Sequence, residues 1–181
     1  HMDLPTREEE EEEDEYLDRI QETLDERTAT LPDEIATMTQ VGAALSRENL
    51  ILKQKEDPIL NEVRKWVQSA TKPTKDELRG APEDLRAYAQ RFELLTLDND
   101  ILYVTQPAPY SGAQMIHRMC LPEGLRESAF YWAHIHPSAG HFGIQSTTMR
   151  ANSKFFYPGL TTDLKSKVGL CSTCLAKRTK H

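Results

Sequence analysis

An α+β fold built from two small modules is predicted by three features of the 181-residue sequence. Apolar residues recur at helical spacing between Leu45 and Ala70. The period changes to that of strands around Leu94–Val104, where Leu94-Leu95-Thr96-Leu97 and Ile101-Leu102-Tyr103-Val104 flank the turn-forming Asp98-Asn99-Asp100. Finally, 29 residues separate His134-x6-His141 from Cys171-x-x-Cys174 in a segment otherwise patterned as short helices. The expected division is a leader and linker over 1–40, a helical and β-meander module over 41–121, and a metal-stapled helical module over 122–181.

Composition narrows the function. The chain is 38% hydrophobic and 28% charged, and no apolar run approaches the roughly 20 residues needed to cross a bilayer, so no membrane role is expected. The opening residues have neither an apolar stretch nor a cleavage site, His1-Met2 looks like a cloning scar, and an intracellular setting follows. Three cysteines do not make a disulfide framework, and reduced thiols free to bind metal are expected. The net charge of −7 conceals a segregation. Residues 1–30 hold 13 acids against 3 bases, whereas Phe142 to His181 holds Asp163 against Arg150, Lys154, Lys165, Lys167, Lys177, Arg178 and Lys180.

Taken in order, Glu8 to Glu15 is an unbroken acidic run whose self-repulsion should keep it extended and disordered. Leu17, Ile20 and Leu24 allow a short helix over about 16–27, and Thr28 to Met38 reads as linker. Order begins near Val41. Ser46-x-x-Asn49 starts a helix that Asp57-Pro58 breaks, giving two helices joined at the proline. Lys72 to Gly80 is a loop, and Pro82 opens a helix to about Phe92. After the hairpin, Ala113 to Leu121 supplies a third strand. Pro122 starts a helix to about His134, a loop follows, Ile144 to Phe155 is a helix, and Tyr157-Pro158-Gly159 is a turn. Thr161 to Gly169 is the last helix expected, with Thr161 or Thr162 as its cap.

Two imidazoles and two thiolates complete a tetrahedral shell for Zn²⁺, and a Cys-x-x-Cys turn brings both sulfurs to one ion. Four protein ligands close the site, so the metal is structural, one per chain. A module of about 60 residues with few large apolar side chains needs such a staple, which supplies on the order of 10–16 kcal/mol of apparent binding energy to folding. A redox Cys-x-x-Cys would instead follow a strand and precede a helix; here a helix precedes it. His134, His141, Cys171 and Cys174 are the ligands expected. His136 is the alternative to His134, which is preferred because it closes a helix whereas His136 abuts Pro137 in the loop. His117 reads as a sheet residue and Cys120 as core.

Ala133-His134, Pro137, Ala139-Gly140-His141-Phe142-Gly143-Ile144, Thr147 or Thr148, Phe156-Tyr157-Pro158-Gly159, Val168, and Cys171-x-x-Cys174 with Lys177 resemble the HHCC zinc domain of integrases, nearest to those of Ty3/gypsy long-terminal-repeat retrotransposons. Gln54-x-x-Asp57-Pro58, Trp66, Leu95 to Val104 and Leu121-Pro122 resemble the extension domain preceding it. The chain departs from the family at Ile135-His136, where small polar or acidic residues are usual, and carries tyrosine in place of the frequent tryptophan before Pro158. The resemblance implies a zinc module of three or four helices with helix-turn-helix character. It also implies binding to element-end DNA and to other integrase subunits during DNA integration, as a homo-oligomer in the full-length protein and in the nucleus. Strand transfer in the family belongs to a following core with an Asp, Asp, Glu triad, expected beyond Lys180-His181, so no catalytic residue and no enzymatic activity are expected in this chain. The basic residues Arg150, Lys154, Lys165, Lys167, Lys177, Arg178 and Lys180 are the expected phosphate contacts on duplex DNA. The alternative is a zinc-dependent protein-interaction module of a host protein derived from such an element.

Overall fold

The computed structural model describes residues 40–107 and 114–178, which form an α+β unit. The acidic leader, its expected helix over about 16–27 and the linker over 28–38 lie outside the described residues. Among those residues, no helix is long and apolar enough to cross a membrane.

Local chemistry sets the first helices. The Ser46 hydroxyl accepts from the Asn49 N–H at 3.4 Å to open α1 (Arg47–Glu56). One residue separates it from α2 (Pro58–Gln68): Asp57 Oδ1 accepts from the N–H groups of Ile59 and Leu60 at 3.0 Å, and Pro58, in the first turn, has no N–H to satisfy. The other oxygen of Asp57 accepts from the Glu123 N–H at 3.2 Å, tying this junction to the start of the C-terminal segment. Helix α3 (Glu83–Gln90) follows the expected loop and ends in a 3-10 turn, Phe92–Leu94.

The sheet has the order β1-β2-β3-β4, from β1 (Leu95–Asp98), β2 (Ile101–Pro107), β3 (Met115–Cys120) and β4 (Phe155–Phe156). Asn99 and Asp100, with φ of 47° and 69°, make the two-residue left-handed turn that matches the twist of an antiparallel hairpin. Arg64, only 3% exposed, donates to both the carbonyl and the carboxylate of Asp100, and Lys55 pairs with the same carboxylate. Hydrogen bonds from Lys55 and Arg64 hold that carboxyl below the usual range. Gln54 is fully buried and bridges two strands: its Nε2 donates to the carbonyls of Leu102 (3.1 Å) and Cys120 (2.7 Å), while its Oε1 accepts from the Leu102 N–H at 2.8 Å.

The fourth strand departs from the sequence expectation. The helix predicted over Ile144 to Phe155 ends at Asn152, and Phe155-Phe156 pairs in parallel with Met119-Cys120. The physical reason is that β3 has an open edge: the Met119 N–H donates to the Lys154 carbonyl and the Leu121 N–H to the Phe156 carbonyl, each at 2.8 Å. Successive strand residues face opposite sides, and the two phenylalanines accordingly enter different cores. Phe156 joins Leu60, Val63, Tyr88, Leu102 and Cys120; Phe155 joins Leu50, Leu121, Phe130, Tyr157 and Leu164. Both cores therefore draw on residues from either side of position 121.

The C-terminal helices are α4 (Arg126–Phe130), α5 (Ile144–Asn152), α6 (Leu160–Leu170) and α7 (Ser172–Arg178). Gly159, at φ 76°, begins α6 with no capping side chain, in place of the threonine cap expected.

Replacing Gln54 with alanine leaves the Leu102 N–H, and the Leu102 and Cys120 carbonyls, buried without this partner. Urea unfolding should show a loss of about 2–4 kcal/mol; a loss below about 1 kcal/mol would show that the bridge contributes little.

Candidate metal centre

Three segments deliver the four ligand groups. The first is the end of α4, which widens into a π-turn over Tyr131–Ile135, closed by the His136 N–H on the Tyr131 carbonyl at 2.8 Å. His134 lies in this turn, fully buried, its ring stacked on Phe130 with centroids 5.1 Å apart. The second segment is the loop after it. Gly140 and His141 are both left-handed, with φ of 61° and 53°, and the His141 N–H returns to the His134 carbonyl at 3.1 Å. A histidine in that conformation costs of order 1 kcal/mol, and the reversal turns its imidazole back towards His134, with ring centroids 5.0 Å apart. The third is the α6–α7 junction. Cys171 ends α6 while its carbonyl accepts from the Leu175 N–H at 2.9 Å, which places Cys174 in the first turn of α7.

Candidate ligand atoms of His134, His141, Cys171 and Cys174 all lie within 4.8 Å of one another. Tetrahedral zinc with bonds of about 2.0–2.3 Å requires ligand-to-ligand edges of about 3.3–3.8 Å. Cys171 Sγ is 3.4 Å from His141 Nδ1, Cys174 Sγ is 3.4 Å from His134 Nε2 and 4.0 Å from His141 Nδ1. His136 turns elsewhere, its Nδ1 on the Ser138 hydroxyl at 2.7 Å, so the cluster contains His134 and excludes the alternative.

The tautomer of His134 follows from its surroundings. The Thr147 hydroxyl donates to the Phe142 carbonyl at 3.2 Å and lies 3.0 Å from His134 Nδ1. With its proton committed to Phe142, the threonine oxygen accepts from Nδ1–H, leaving the Nε2 lone pair aimed at the cluster. Burial, and secondarily His141, lower the His134 pKa and favour the neutral imidazole that a metal requires. Thr147 had no signal in the sequence beyond its place in the family resemblance; nothing in a 13-residue separation predicts this bond. Cys120 is fully buried in the core away from the cluster, and burial pushes its thiol pKa up, which keeps it inert. His117 sits on β3 beside the Thr105 hydroxyl.

Residues 121–180, a third of the chain, match the family model of the integrase zinc binding domain. This segment is an integrase zinc binding domain. No curated protein and no solved structure matches the chain. The domain and its His2Cys2 cluster fit one zinc, which when bound supplies a cross-link between the π-turn, the loop and the α6–α7 junction.

The basic residues of the zinc binding domain are distributed unevenly. Arg150 is tied down, its guanidinium donating to the Trp132 and Ser138 carbonyls and the Ser138 hydroxyl while stacking 4.4 Å over Trp132. Lys167 is 21% exposed and pairs with Glu127 and, at 3.8 Å, Asp163. Lys154, Lys165 and Lys177 are exposed, on the turn after α5, on α6 and on α7. Arg178 ends α7, and Lys180 lies outside the described residues.

Thr147→Val should lower zinc affinity about 10–100-fold, the usual cost of losing a ligand's outer partner, in a chelator competition assay. His136→Ala should leave it unchanged. Equal losses in both variants would contradict the assignment of His134 as ligand.

Proposed function

We propose that this chain is the non-catalytic N-terminal region of a Ty3/gypsy-type retrotransposon integrase, acting in the nucleus. In this reading, residues 41–121 are an extension domain and residues 122–181 the zinc domain, behind the leader over 1–40. Together they hold the element's DNA ends and contact other integrase subunits during integration. The observation that carries this is the integrase family match at residues 121–180 lying on a closed four-ligand site. Among the described residues that site is also the only group of three or more His, Cys, Asp or Glu side chains disposed to hold a metal. A set with four protein ligands leaves no position for an activated water, which favours a scaffolding role over a catalytic one.

Lys154, Lys165 and Lys177 are the stronger phosphate contacts, being exposed and without an ion pair among the described residues. Lys167 is partly neutralised in place by Glu127 and Asp163, and Arg150 serves the loop that carries His141. A second reading, a protein-interaction module in a host protein derived from such an element, is favoured by the exposure of Phe142, Met149 and Leu170 at 62%, 67% and 77%.

Fluorescence anisotropy with a labelled duplex and a salt titration tests the proposal. Affinity should fall with a log–log slope of about −0.9 per phosphate neutralised. Lys165→Glu should weaken binding to all sequences alike, and Lys167→Glu should do so less. Binding that is absent or insensitive to salt would favour the protein-interaction reading.

A further inference from the structure

A cleft of about 510 Å³ lies where α3, β3, β4 and the start of α6 meet. Arg91, Arg118, Asn152, Thr161 and Thr162 line it, with Glu83 and Asp84 on the α3 side. Both guanidinium carbons lie over the Phe156 ring, 5.3 and 5.5 Å from its centroid, so one ring carries two like charges. Neither arginine has a carboxylate within ion-pair distance among the described residues. Arg91 donates once, to the Ala87 carbonyl at 2.9 Å, and Arg118 once, to Asn152 Oδ1 at 3.4 Å. Arg118 Nε is buried without a hydrogen-bond partner, so the side chain's hydrogen-bonding capacity is under-used in the folded chain.

The acids do not cancel this pair. Asp84 is engaged by Arg126 at 3.3 Å, leaving Glu83 as the carboxylate opposing an anion. On the far wall, α6 begins at Gly159 with no capping side chain, so first-turn N–H groups near Thr161 and Thr162 add donors. Burial and the charge of Arg91 both lower the Arg118 pKa, a penalty that a bound anion would relieve. Two planar forks beside free N–H groups suit the several oxygens of a phosphate better than a single carboxylate.

We propose that this cleft is a binding site for one backbone phosphate of nucleic acid, with Arg91 and Arg118 as its principal contacts. The site rests on the DNA-binding reading above and moves part of the interface onto the extension segment, since Arg91 and Arg118 both precede the zinc binding domain. It also requires that segment and the zinc domain together, because Asn152, Thr161 and Thr162 complete its wall.

Two measurements on the zinc-loaded chain test it. In duplex anisotropy, Arg91→Gln and the Arg91→Gln/Arg118→Gln pair should each reduce the salt slope, the pair by about 0.9, and the pair should weaken binding about eightfold at 0.1 M salt. Glu83→Gln should strengthen binding. Zinc content and circular dichroism verify that each variant folds, and Arg91→Gln, which leaves Arg118 and its buried Nε intact, stands alone if the pair does not. Independently, titrating the dinucleotide TpT while observing the arginine Nε–H resonances should shift those of Arg91 and Arg118 saturably. Unchanged slopes and unshifted resonances, alongside the Lys165→Glu loss, would overturn this site and leave the DNA-binding reading standing. Saturable TpT binding without duplex binding would sink the DNA reading and keep a phosphate site; absence of both would remove the two together.

Discussion

A tetrahedral ion tolerates only a narrow range of separations among its ligands, and the C-terminal half of the fold is organised around meeting it. The four atoms come from a π-turn, a left-handed loop and a helix junction, none of which is a low-energy default. The π-turn forgoes the tighter α-helical bonding, and His141 adopts a conformation that favours glycine. Each departure turns a ligand inward, and the bonds that support it lie around the site itself: His136 on Tyr131, His141 on His134, Thr147 between Phe142 and His134. Zinc binding energy of the order found for small zinc modules is ample to offset these costs.

The metal centre is not isolated from the rest of the molecule. Helix α5 carries Thr147 towards His134 and then delivers Phe155 and Phe156, one to each face of the sheet. Seven residues of chain thus separate the threonine at the metal site from the strand that completes the sheet. The Asp57 carboxylate, capping α2 with one oxygen and holding the Glu123 N–H with the other, makes a second link between the N-terminal and C-terminal segments. Stability is shared across position 121 even though the integrase family match begins there.

Charge follows the same logic of local commitment. Bases that sequence position groups together have separate fates once folded: Arg150 braces the ligand loop, Lys167 is held by carboxylates, Lys154 lies over the Trp132 ring, and Lys165 is exposed with no ion pair among the described residues. The arginines with unfilled capacity, Arg91 and Arg118, stand before residue 121, where net charge along the chain gives no hint of them. An arginine's availability depends on which carboxylates fold next to it, and Asp84 is taken by Arg126.

Much of the fold was legible because its determinants are local. Ser46 and Asp57-Pro58 punctuate the first helices by satisfying their own first-turn N–H groups. Asn99-Asp100 turn the hairpin because short polar side chains accept left-handed φ. The His2Cys2 set was legible for a related reason: ligand chemistry and spacing are written in residue identity, and the structure's preference for His134 over His136 follows from helix packing that the sequence already suggested. What required tertiary structure was every feature whose partner is distant in the chain. Phe155-Phe156 reads as the end of a helix until the open edge of β3 is present to accept it. Thr147 is an ordinary helical threonine until the His134 ring reaches it, and Arg91 and Arg118 are ordinary surface bases until Phe156 gathers them. The hairpin turn, the caps of the first two helices and the ligand set could be read before folding, because they rest on intrinsic backbone preference and side-chain chemistry, whereas the expected threonine cap of α6 gave way to Gly159. The fourth strand, the tautomer of His134 and which cations stay unpaired were settled on folding, because each depends on a contact between segments that no local pattern encodes.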